Sequence, residues 1–173
     1  MNFNRNMLSR YCTHDGVALT ELCDNKKIML VFLRHFGCIF CREALEEISR
    51  ITDQLKENED LVLIHMADAE ASEKYFKRYR LENFHKVSDP DCKLYQEFGL
   101  TKGTFNQLFG FHSWIRGIEA GLIKAHGFGV QLGDGFQMPG VFVIENGKIT
   151  AQFKHKLASD KPNYLALLNY STC

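Results

Sequence analysis

Residues 28–41 read Ile28-Met29-Leu30-Val31-Phe32-Leu33-Arg34-His35-Phe36-Gly37-Cys38-Ile39-Phe40-Cys41. The first six are apolar without interruption. A run of that length, with no alternation, predicts a strand buried on both faces, the habit of parallel sheets. After Gly37 the period changes. Cys41, Ala44, Leu45, Ile48, Ile51, Thr52 and Leu55 recur at three- and four-residue steps, while Arg42, Glu43, Glu46, Glu47, Arg50 and Asp53 fill the other face. That spacing predicts an amphipathic helix of about four turns. Residues 61–67 (Leu-Val-Leu-Ile-His-Met-Ala) form a second apolar run. Strand, helix and strand in immediate succession make a βαβ unit, so the sheet is at least partly parallel.

The reading extends outward from this unit. A helix is predicted over 70–80 with Tyr75, Phe76 and Tyr79 inward, then a short strand over 84–87. Ser88-Asp89-Pro90-Asp91 reads as a turn that starts a short helix ending at Gly99. Residues 104–123 carry helical spacing in Phe105, Leu108, Phe109, Trp114, Ile115, Ile118 and Leu122, weakened by Gly110, Gly117 and Gly121. The glycines at 127, 129, 133 and 135 read as a loop that runs into a strand; a phosphate-cradling loop would have to open a helix. Residues 138–145 and 148–154 are strands joined by Asn146-Gly147, a strong hairpin signal. Ser159-Asp160 is positioned to cap a last helix, with Pro162 in its first turn and Tyr164, Leu165 and Leu168 inward. Residues 1–25 are weakly patterned and read as an arm or short strand.

The chain has 173 residues, 45% hydrophobic and 24% charged, which suits a single folded domain spanning 1–173. Lys+Arg and Asp+Glu are both 21. A balanced charge argues against a nucleic-acid partner, which would call for a basic excess. The basic and aromatic stretch 74–86 fits a solvated helix face better, because its aromatics fall at core spacing. No apolar run is long enough to span a membrane or serve as a signal peptide, so a reducing cytoplasmic setting is expected. There the six cysteines are free thiols, catalytic thiols or metal ligands rather than a disulfide framework.

Two of them carry a pattern. Cys38-Ile39-Phe40-Cys41 lies where the first buried strand passes into the long helix. Unpaired N–H groups and the macrodipole at a helix start stabilise a thiolate, the nucleophile of disulfide exchange. On this spacing Cys38 is the exposed attacker and Cys41, on the inward face of the first turn, the buried resolver. Arg34 and His35 precede the motif and are expected to tune the thiolate with positive charge. Two other readings stay open: half of a metal site, or two inert core thiols. A structural zinc site wants four ligands, and there is no second CxxC or His-x3–5-His pair; no metal or other cofactor is expected. Cys12, Cys23 and Cys92 read as small buried or partly exposed thiols. Cys173 is a candidate extra resolving thiol on the tail.

Taken together, the apolar strand, the CxxC at a helix start, the βαβ unit, Met138-Pro139-Gly140 heading a hairpin and the final helix resemble the thioredoxin-like superfamily. That resemblance implies an α/β fold: a three-layer α/β/α sandwich on a central mixed sheet, with a C-terminal β-hairpin and helix. Residues 103–137 are then a helical, Gly-rich insertion before the hairpin. It also implies a cis proline at Pro139 that packs against Cys38, with Met138 and Pro139 shaping a substrate groove. Within the superfamily, 31–43 and 87–100 resemble the CxxC-bearing, peroxiredoxin-like proteins of the alkyl hydroperoxide reductase/thiol-specific antioxidant group. The implied activity is a thiol–disulfide oxidoreductase or antioxidant cycling a Cys38–Cys41 dithiol. Its partners would be a disulfide or hydroperoxide substrate and an external thiol reductant. Peroxiredoxins place Pro seven and Thr or Ser three residues before the peroxide-reacting cysteine. This chain has Arg34 and Cys38 there if Cys41 is matched, and Val31 and His35 if Cys38 is matched. The departure points toward dithiol–disulfide exchange. The alternatives are a thiol peroxidase with Cys41 as the reacting thiol, and a non-catalytic binding module or metal-binding scaffold. The Phe-rich stretch 105–128 is a candidate homodimer surface, with core packing the simpler reading.

Overall fold

The apolar run at 28–33 becomes the central strand of a five-stranded mixed sheet, ordered β3-β2-β1-β4-β5. The chain is described here by a computed structural model covering residues 5–109 and 133–170. The strands are β1 (Lys27–Phe32), β2 (Glu59–His65), β3 (His85–Ser88), β4 (Gly140–Glu145) and β5 (Lys148–Lys154). β2 lies parallel to both β1 and β3, whereas β4 pairs antiparallel with β1 and β5. The helices are α1 (Leu19–Asn25), α2 (Ile39–Ile51), α3 (Ala69–Arg78), α4 (Lys93–Glu97), α5 (Phe105–Phe109) and α6 (Tyr164–Leu168).

Strand alternation sorts β1 into two cores. Met29, Val31 and Leu33 meet Leu45 and Ile48 of α2, Phe76 of α3 and Tyr164 of α6. Ile28, Leu30 and Phe32 belong to a second cluster with Leu8, Leu19, Cys23, Tyr95 and Phe98. The result is the three-layer α/β/α arrangement expected from the sequence. Leu45 and Ile48 are fully buried, and each such side chain contributes ~1.5–3 kcal/mol of burial energy. That anchors α2 and, with it, the motif at its start. No helix among the described residues is long and apolar enough to cross a membrane.

Three local expectations are corrected. The segment before β1 is neither an arm nor a strand but a 3-10 helix (Arg5–Arg10) followed by α1. Its turns place Leu8, Leu19 and Cys23 under the sheet, a contact that only the folded partner reveals. The last helix is capped by Asn163, whose side chain accepts from Ala166 N at 2.9 Å. Asp160 instead closes the preceding turn by accepting from Lys156 N and Leu157 N, so Pro162 lies outside the helix. In the 103–137 insertion, α5 and the 133–137 loop are described; residues 110–132, with most of the expected helix and loop, lie outside the described residues, as does Cys173.

Candidate thiol site

The sheet delivers Arg34 and the two cysteines to one point. β1 ends at Phe32, and the chain turns through His35, whose carbonyl accepts from Cys38 N at 2.9 Å. Arg42 Nε donates to Phe36 O at 3.2 Å and fixes the same turn from the helix side. Cys38 is the N-cap residue of α2, with extended dihedrals, and the first turn of the helix contains no acidic residue. The positive end of the macrodipole therefore faces Cys38 without a competing carboxylate.

Arg34 touches both sulfurs. Its Nη1 donates to Cys38 Sγ at 2.9 Å, and its carbonyl accepts from Cys41 Sγ at 3.3 Å. Its Nη2 donates to the carbonyl of Gly135, so the guanidinium bridges the motif and the loop before β4. Arg34 is only 5% exposed. A buried cation costs free energy unless it is bonded; here both terminal nitrogens are bonded, while the buried Nε has no partner among the described residues.

The two thiols differ. Burial pushes the Cys41 thiol far above the ordinary cysteine range, and the neighbouring Cys38 sulfur adds to the rise; Arg34 and Arg42 pull back less. Cys41 is therefore a neutral S–H held against a carbonyl. Cys38 is the more accessible, at 8% against 3%, but it is not the open thiol expected from the sequence: it is buried, with the Arg34 guanidinium against its sulfur. His35 also departs from expectation. Burial, helped by the Arg34 charge, pushes its pKa down to about 4. Its imidazole is neutral near pH 7, so the positive charge beside the motif comes from Arg34 alone of the two.

The proline heading β4 stands elsewhere than expected. The Met138–Pro139 bond is trans. Pro139 lines a cavity of about 30 Å3 with Arg34, Cys41, His155 and Tyr164, and so lies on the Cys41 side of the motif. Met138 is buried with Leu108 and Ala158 against Phe40 rather than lining a groove. Two partners were not legible in the sequence. Gly135 sits 101 residues from Arg34 and offers only a backbone oxygen, which leaves no signature. His155 has a buried Nδ1 without a hydrogen-bond partner among the described residues, and its pKa is lowered to about 4, chiefly by burial. Among the described residues no group of three or more His, Cys, Asp or Glu is placed to hold a metal ion.

Comparison with known proteins adds a family. The family model described as AhpC/TSA antioxidant enzyme matches residues 47–158, a stretch that begins just after the CxxC motif. The prostamide/prostaglandin F synthase of Danio rerio is 26% identical over 166 residues, 91% of this chain and 80% of that protein. Peroxiredoxin-like 2C of Bos taurus is 24% identical over 95 residues, 50% of this chain and 39% of that protein. Among solved structures, PrxQ of Xylella fastidiosa superposes with a TM-score of 0.62 at 12% identity, covering 89% of this chain and 84% of that one. The peroxidoxin BcpB of Mycobacterium tuberculosis gives 0.59 at 14% identity, covering 87% and 82%. At such identities these structures speak to the fold alone, and the fold is the thioredoxin-like one expected.

Proposed function

Because this chain belongs to the AhpC/TSA antioxidant-enzyme family and is a thiol-dependent oxidoreductase of peroxiredoxin-like type, we propose that Cys38 is its reacting sulfur and Cys41 its resolving one. The observation that carries this reading is the division of labour at Arg34: a guanidinium N–H on one sulfur, a carbonyl on the other. A charge-assisted donor suits a sulfur anion. A carbonyl acceptor suits a thiol that must keep its proton. Cys38, as thiolate, attacks the distal oxygen of a hydroperoxide. The O–O bond breaks, Cys38 becomes the sulfenic acid, and the alkoxide leaves as alcohol after taking one proton. The Cys41 sulfur then displaces the sulfenic oxygen, which leaves as water, and a Cys38–Cys41 disulfide forms. An external thiol reductant supplies two electrons and two protons to restore the pair. With a disulfide substrate the first product is instead a mixed disulfide, resolved by the same Cys41. The synthase named above adds prostaglandins to the substrates to be tried. In a reducing, cytoplasmic setting the pair rests as a dithiol and forms its disulfide only during turnover.

Peroxide consumption with an external dithiol tests the assignment. Cys38→Ser loses about 100-fold or more of the rate. Cys41→Ser still reacts once and accumulates a Cys38 sulfenic acid that dimedone traps. An active Cys38→Ser protein beside an inactive Cys41→Ser one would move the reacting sulfur to Cys41.

A further inference from the structure

We infer that Tyr95 is a positioning residue for this thiol site, acting through the Leu33–Arg34 peptide. The inference rests on the assignment of Arg34 to Cys38 made above. Tyr95 lies on α4, across the sheet from the motif, and is completely buried. Its hydroxyl donates to Leu33 O at 2.6 Å and lies 3.1 Å from Ile64 O. Leu33 is the residue at which β1 leaves the sheet: its N–H makes the closing bond to β2, on Ile64 O at 2.9 Å. Its carbonyl takes the phenol. Both ends of the residue before Arg34 are therefore tied, and the peptide plane that sets the direction of Arg34 cannot turn. The next two bonds along the chain are the ones that matter to the sulfurs, Arg34 O to Cys41 and Arg34 Nη1 to Cys38.

Tyr95 is itself fixed. The Asp89 carboxylate accepts from Lys93 N at 3.0 Å, Leu94 N at 2.8 Å and Tyr95 N at 3.3 Å, and Asp89 N donates to His65 O at 2.8 Å. Its ring packs edge-on to Phe32, with centroids 5.0 Å apart. A phenylalanine would satisfy that packing equally well. The hydroxyl is the part that reaches the strand end, and in a fully buried setting a carbonyl deprived of its donor seeks another partner by rotating.

Tyr95→Phe keeps the ring and removes the bond. The readout is iodoacetamide alkylation of Cys38 against pH, followed site by site by peptide mass spectrometry, with Arg34→Gln in parallel. We expect Cys38 of Tyr95→Phe to alkylate at least five-fold more slowly than wild type at pH 7 and within two-fold of it at pH 10. A purely structural role would lower the melting temperature without moving this profile. If Arg34→Gln shifts the profile and Tyr95→Phe superimposes on wild type, the inference falls and the assignment of Cys38 stands. If Arg34→Gln leaves the profile unchanged, both fall. Should Tyr95→Phe fail to fold, Asp89→Asn, which loosens the turn carrying Tyr95, is expected to move the profile in the same direction by a smaller factor; an unmoved profile there overturns the inference.

Discussion

One arginine meets both cysteines of the motif, donating to Cys38 and accepting from Cys41. Arg34→Met keeps the aliphatic stem in its buried place and removes the donor to Cys38 and the link to Gly135. The expected loss is about 10- to 100-fold in peroxide turnover at pH 7, or ~1.4–2.7 kcal/mol of barrier, with an unchanged far-ultraviolet spectrum. Arg34→Lys rescues only part of it, because one ammonium cannot span both acceptors as a planar fork does. Equal turnover in the methionine variant would remove Arg34 from the mechanism. Arg34 and the CxxC were legible in the sequence because they lie within eight residues of one strand–helix junction. The charge state of His35 was not. A histidine beside a reactive thiol invites a cationic reading, but burial decides the matter, and burial is a property of the packed chain.

Elements whose signals are local were the ones the sequence disclosed. Asn146 and Gly147 adopt φ of 51° and 69°, the left-handed pair a two-residue hairpin needs, and the dipeptide announces it. α2 was legible for a similar reason, since its spacing and its capping cysteine lie in one window. α1 was not, because its seven residues are too few for a periodic signal and its stability comes from the sheet it covers. For the cap of α6 the sequence offers Asp160, three residues before the observed one: Asp160 and Asn163 are both good caps, and the backbone gives the role to Asn163. Asn163→Ala should lower the unfolding free energy by about 1 kcal/mol, read as a lower urea midpoint with unchanged slope. Asp160→Ala should leave α6 capped and perturb the 156–160 turn instead. A larger helical loss from Asp160→Ala than from Asn163→Ala would reverse these roles.

At the scale of the whole molecule, the βαβ half and the hairpin half were each readable, but not their union. β4 lies antiparallel beside β1; both strands are apolar on two faces, which calls for a central place in the sheet without naming the neighbour or its direction. Closing the sheet around these strands also buries ionisable groups, and this makes stability depend on pH. His65 is completely buried and its pKa is pushed down to about 3 by burial and by His14, whose Nε2 lies 3.1 Å away. His35 and His155 are pushed down to about 4. An unfolded histidine titrates near 6.5. Between roughly pH 6.5 and 4 the unfolded chain therefore binds protons that the native chain refuses. Stability is fully present above that window and falls as pH drops through it. Asp89, raised by burial, opposes the trend as a single group, while the lowered Asp134 contributes only near and below the ordinary carboxylate range. The histidines therefore set the slope. The melting temperature should fall steadily from pH 7 to 4.5, at low protein concentration and fixed ionic strength. Replacing His65 by Gln, which can still meet His14, should flatten the fall by about one proton's share, ~1.4 kcal/mol per pH unit at most. A melting temperature that stays level across this range would show that the three imidazoles are hydrated in the native protein and take up protons as readily as in the unfolded chain.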